Sequence, residues 1–210
     1  GTLNKKETIH LLKSHLKNHP IHKKEYNRFY RTILPLYIGD KRKLVPEYKM
    51  KERSMQIDLE AFENLSEDEL NGYFAEIADQ MFEDFNLLVV EQLNKHAEEN
   101  VHIMLVSGAY TPLIEAATKH LPIDSIIGTD LRFQNNQLDL TKPIQHIQGE
   151  RKTTKIRETL HGQTIDWENS YAYGDSYSDL PVLELVSNPT AVNPQPKLKT
   201  IAEERNWAIL

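Results

Sequence analysis

Tyr171-Ala172-Tyr173-Gly174-Asp175-Ser176-Tyr177-Ser178-Asp179 carries a short apolar run straight into a glycine and two carboxylates four positions apart, then into the amphipathic stretch 179–186. The order strand, polar turn, helix repeats outward from it. Upstream the pattern predicts strand 101–106, helix 111–120, strand 125–128 and helix 151–160; downstream it predicts strand 190–192 and helix 196–205. Repeated βα units imply an α/β fold with a parallel sheet covered on both faces.

Residues 1–98 read differently. Ile9, Leu11, Leu12 and Leu16 recur near the helical period until Pro20, and a second helix runs from about His22 through Tyr26, Phe29 and Ile33. Ser66-Glu67-Asp68-Glu69 is a capping box, followed by Leu70, Phe74, Ile77 and Met81 on one face. Phe85 to Ala97 continues as helix until Glu98-Glu99-Asn100 breaks the pattern, which we take as a domain boundary.

Of 210 residues, 25 are Lys or Arg and 31 Asp or Glu, a net charge of −6 that excludes a globally basic nucleic-acid binder. Residues 1–55 carry +9 and residues 56–100 carry −12, so complementary surfaces between the early helices are expected. Cysteine is absent, which removes thiol chemistry; a reducing, cytoplasmic setting is the expectation. No window holds the roughly 18 apolar residues of a membrane span. The nine histidines contain no His-Glu-x-x-His, and neither a phosphate-binding Gly-x-x-x-x-Gly-Lys loop nor Gly-x-Gly-x-x-Gly occurs.

Ligands of such sheets gather at the carboxyl ends of strands. There Ser107-Gly108 offers a hydroxyl and unencumbered backbone N–H groups to an anion. Asp175 and Asp179 could hold a hard cation such as Mg²⁺, or merely make a turn and cap a helix. Lys152 at the start of its helix opposes the macrodipole and calls for a nearby anion.

In chain order, Leu105-Val106-Ser107-Gly108, Gly149-Glu150-Arg151-Lys152 and Gly174-Asp175-Ser176-Tyr177-Ser178-Asp179 resemble the second, third and fourth motifs of the haloacid dehalogenase superfamily, in its phosphoserine-phosphatase-like branch. The resemblance implies a Rossmann-like three-layer core, residues 1–8 and 99–210, with an inserted α-helical cap over residues 9–98. It implies a Mg²⁺-dependent phosphatase acting on a small phosphorylated metabolite, with Asp175 and Asp179 at the metal and Lys152 and Ser107 catalytic. Asp179 would act through water or a neighbour while orienting Lys152. Thr2, Glu7, Ser107 and Gly108 would hold the substrate. The family's first motif is Asp-x-Asp-Gly-Thr-Leu, and the chain opens Gly1-Thr2-Leu3. The nucleophile and the general acid would then lie upstream.

A different class of reading is a non-catalytic phosphate- or partner-binding module that has lost the first motif. The family's first motif follows a central strand, without which its two neighbours lack partners or pair together. Residues 1–210 alone are therefore expected to be poorly stable, and cooperative thermal unfolding at an ordinary mesophilic temperature would overturn that expectation.

Overall fold

The computed structural model describes residues 1–6, 8–20, 22–40 and 47–210, with the side chains of all of these except 9, 35–40, 47 and 48. The first half is helical: α1 (Thr8–Asn18), α2 (Lys23–Asp40), α3 (Glu47–Ala61), α4 (Glu67–Glu83) and α5 (Leu87–Glu98). The second half alternates β1 (Met104–Tyr110), α6 (Thr111–Thr118), β2 (Ser125–Thr129), the hairpin β3 (Phe133–Gln134) and β4 (Gln137–Leu138), and α7 (Glu150–Thr159). After β5 (Tyr171–Gly174) come a 3-10 turn (Tyr177–Asp179), α8 (Leu180–Leu183), β6 (Asn188–Ala191), α9 (Pro196–Glu204) and β7 (Ala208–Ile209).

The capping box forms as the sequence indicates. Ser66 Oγ accepts from Glu69 N–H at 3.2 Å, and Ser66 N–H reaches Glu69 Oε2 at 2.8 Å. One face of α4 then buries Leu70, Tyr73, Phe74, Ile77, Ala78 and Met81. The same hydrophobic cluster takes in Leu11, Leu12 and Leu16 of α1, the end of α3, and Tyr110, Leu113 and Ala117 around the start of α6. The core thus crosses residue 98 without interruption.

Several elements depart from the sequence reading. Helix 85–97 does not begin at Phe85, because residues 84–86 bond to the start of the chain instead. Lys5 N–H donates to Asp84 C=O at 3.0 Å, Asn86 N–H to Leu3 C=O at 2.7 Å, and the Asn86 side chain caps α5 at Leu88 N–H. Helix α3, unforeseen, buries Met55, Gln56, Ile57, Asp58 and Leu59 in succession, so no single apolar stripe marks it. Strand β1 continues past Val106 to Tyr110, which pairs with Thr129 after a register shift. Ser107 and Gly108 therefore sit in the irregular end of a strand. The stretch 179–186 divides into the 3-10 turn and the single-turn α8.

The parallel strands fall into two groups, β1 with β2 and β5 with β6 and β7. Neither β1 nor β5 pairs with the other, so among the described residues each bonds a neighbouring strand along one edge. A cavity of about 970 Å³ is lined by both. No helix among the described residues is long and apolar enough to cross a membrane.

Removing the Ser66 hydroxyl exposes one N-terminal amide of α4 without touching the core. Ser66→Ala should cost about 1 kcal/mol of stability, read as a shifted urea midpoint at unchanged slope.

Candidate active site

Asp179 lies in the 3-10 turn after β5, and its carboxylate is engaged on both oxygens. Lys152 Nζ donates to Oδ1 at 2.5 Å. Oδ2 accepts from Asp175 N–H at 3.2 Å, Ser176 N–H at 3.0 Å and Ser176 Oγ–H at 2.9 Å. Burial, the largest influence on this carboxyl, pushes it up; the Lys152 charge and the bonds from Lys152 and Ser176 outweigh burial and hold it below its ordinary value. Lys152 projects from the first turn of α7, where the macrodipole disfavours a cation, and the nearby carboxylate compensates. The β5 turn admits this arrangement because Gly174 has no side chain: a Cβ there would stand 2.7 Å from Asp179 Cβ.

Asp175 is more open. Its Oδ1 accepts from Thr2 Oγ–H at 2.6 Å, and its Oδ2 lies 3.8 Å from the Gly1 nitrogen. The Asp175 carboxylate and the Thr2 hydroxyl offer oxygen donors, which fit a hard cation. Direct ligation by Asp179 would cost that residue its bonds to Lys152 or to the turn.

In the same cavity lining, Ser107 Oγ accepts from Ala109 N–H at 3.1 Å, which leaves its hydroxyl proton to donate. The Gly108 carbonyl accepts twice, from Thr129 Oγ–H at 2.8 Å and from His146 Nδ1–H at 3.1 Å. His146 fills the space a side chain at position 108 would need, its Cε1 standing where an added Cβ would collide with it. Burial pushes the His146 imidazole down to about 4, the Gly108 bond opposing and the Lys51 and Lys152 charges adding. It is a neutral ring under ordinary conditions.

Thr2, Ser107, Gly108, Lys152, Asp175 and Asp179 all line the one cavity. Glu7 lies outside the described residues. The sequence reading missed His146 and the helical wall, where His10 and Lys13 of α1 and Met50, Lys51 and Ser54 of α3 join the lining. A His-x-x-x-x-x-Lys spacing is the only trace of His146, and nothing in it signals contact with a glycine 38 residues earlier. Across the seam, Arg151 binds Glu52 of α3 at 2.9 Å and the His146 carbonyl at 3.2 Å. Nearby, Tyr110 Oη–H reaches Asp58 Oδ2 at 3.2 Å and Met55 C=O at 2.9 Å. Burial pushes Asp58 up to about 7, against the Tyr110 bond and the Lys13 charge.

A family model described as haloacid dehalogenase-like hydrolase matches residues 1–184. A histidinol-phosphatase of Neisseria meningitidis serogroup C is 31% identical over 127 residues, 56% of this chain and 55% of that protein. A phosphoserine phosphatase of Mycobacterium tuberculosis is 25% identical over 119 residues, 57% of this chain and 39% of that one. The chain spans about half the length of the curated relatives it matches. Among solved structures, a Bordetella pertussis Tohama I protein of unknown function superposes with a TM-score of 0.81 at 21% identity, over 100% of this chain and 93% of the other.

His146 and Asp58 produce opposite pH dependences. The unfolded chain protonates His146 near 6.5 and the folded chain only near 4, so this group's stability contribution is present above 6.5 and lost as pH falls to 4. Folded Asp58 keeps its proton up to about 7 where the unfolded carboxyl loses it near 3.8, so its contribution is present below 3.8 and lost as pH rises to 7. Between those limits the slopes offset. Asp58→Asn should unmask a gain of about 1.4 kcal/mol per unit rise in pH, and His146→Gln a comparable loss. Urea midpoints across this window measure both, and two variants of like slope would overturn the assignment.

Proposed function

The chain belongs to the haloacid dehalogenase-like hydrolases, and from that premise we propose that it acts as a Mg²⁺-dependent phosphatase on a small phosphomonoester, through an aspartyl-phosphate whose aspartate precedes Gly1. The observation that carries the reading is the Lys152–Asp179 pair at 2.5 Å, in the lining of one cavity with Asp175, Ser107 and Gly108. A phosphate ester repels a carboxylate nucleophile, so the site must first neutralise it.

In this reading Asp175 holds the Mg²⁺, with Thr2 Oγ bonded to its carboxylate. The ion supplies charge neutralisation at the phosphoryl oxygens when bound. Lys152, fixed in direction by Asp179, spans nucleophile and phosphoryl oxygen. Ser107 Oγ–H and Gly108 N–H donate to a second phosphoryl oxygen, and His146 with Thr129 holds the Gly108 peptide in place for that contact. The upstream carboxylate attacks phosphorus, the P–O ester bond breaks, and the departing oxygen takes its proton from a second upstream aspartate; water then cleaves the acyl phosphate.

We place residues 9–98 as a cap. The lining by Lys13, Met50, Lys51 and Ser54 supports this, as does the Glu52–Arg151 bond that joins α3 to α7. These helices would exclude water and select the alcohol portion of a small phosphorylated metabolite.

The test uses the whole gene product with Mg²⁺ and a panel of phosphomonoesters including phosphoserine and histidinol phosphate. Lys152→Ala and Asp175→Asn should each lower kcat by about 10²-fold or more while leaving the thermal transition cooperative. Phosphate release at the unaltered rate in either folded variant would overturn the roles of Lys152 and Asp175.

A further inference from the structure

Away from the cavity, α1 carries His15 and His19 one turn apart on the same face, and α4 brings Glu76 between them. His15 Nε2 lies 3.1 Å and His19 Nε2 3.0 Å from the same Glu76 Oε2. One ligand atom from each of the three residues falls within 4.8 Å of the others. Both rings are largely buried while Glu76 is about half exposed, so the group opens to solvent on the carboxylate side alone. The rings are held: Tyr73 meets both edge-on, at 5.1 and 5.7 Å, and His22 stacks on His19 at 4.5 Å. Gln80, one turn beyond Glu76, bonds His15 Nδ1 at 3.1 Å. None of the three residues lines the cavity.

We propose that His15, His19 and Glu76 form a binding site for a borderline divalent transition ion of the Zn²⁺ class, clamping α1 to α4. Two imidazoles and one carboxylate, with water as fourth ligand, suit such an ion and not Mg²⁺, which takes oxygen donors and keeps its waters. The Gln80 amide nitrogen stands against His15 Nδ1; on loading, the amide turns to offer its oxygen to the Nδ1–H of the tautomer that ligates through Nε2. His19 carries the opposite tautomer in the free chain, since its Nδ1 accepts the His22 backbone N–H at 3.2 Å. An ion at His19 Nε2 moves the ring proton to Nδ1 and breaks that bond, so loading frees the His22 amide. The effect reaches the first turn of α2.

The chain, stripped with a chelator and kept in excess Mg²⁺ to occupy oxygen sites, is titrated with ZnCl₂ by calorimetry. One saturable site of micromolar affinity is expected, together with a raised Tm and faster hydrogen exchange at the His22 amide. His15→Gln and His19→Gln should each weaken binding more than about tenfold, whereas Asp175→Asn and His161→Gln leave it unchanged. Absence of saturable binding, or binding that survives both histidine substitutions, would overturn the proposal. Loss of binding in Asp175→Asn alone would assign the ion to the cavity and overturn it equally.

Discussion

The carboxylate of Asp179 is the constraint from which its side of the cavity is built. A buried charge is tolerated only when its partners saturate it, and here a lysine takes one oxygen while the turn's own donors take the other. Each partner then imposes its own requirement. The lysine must reach the carboxylate from a helix end that disfavours it, the turn must be a 3-10 turn, and the last residue of β5 must be glycine. Lys152 gains a fixed direction, and Asp175 is left as the carboxylate open to a ligand.

The lining around Gly108 follows the same logic with a different group. His146 is neutral because burial strips it of its proton, and a neutral imidazole can spend its one N–H on the Gly108 carbonyl. The ring occupies the volume that any side chain at position 108 would claim. Two glycines, 174 and 108, are thus needed for close approach rather than for unusual dihedral angles. Tyr110 carries the order onward, its hydroxyl ending in α3.

How much of this the sequence disclosed depended on whether the determining contact was local. The Gly174–Asp179 turn and the capping box at Ser66 are self-contained over a few residues, and both were legible. The break before α5 was not, because the amides and carbonyls of residues 84–86 are claimed by residues 3–5, some eighty positions away. Helix α3 was missed because its end is buried on all sides, including Gln56 and Asp58, which leaves no amphipathic period to find. The β3–β4 hairpin turns on Asn135 and Asn136 at positive φ, a dipeptide signal present in the sequence but outweighed by its weak flanking strands. Of the site residues, Thr2, Ser107, Gly108, Lys152, Asp175 and Asp179 surround one cavity. His146 was silent because its role exists only through a distant backbone carbonyl.

The bonds from Lys5 to Asp84 and from Asn86 to Leu3 bring the two ends of the α1–α4 segment together at one point of the molecule. A segment whose ends meet can be exchanged for another of different length at little loop-closure cost, since that cost grows only with the logarithm of length. The exchange would leave β1 and β5 undisturbed, provided the incoming segment offers α6 an apolar face in place of that of α4. Such a joint lets the strand-bearing half keep its own packing while the helical segment laid over it is replaced by grafting.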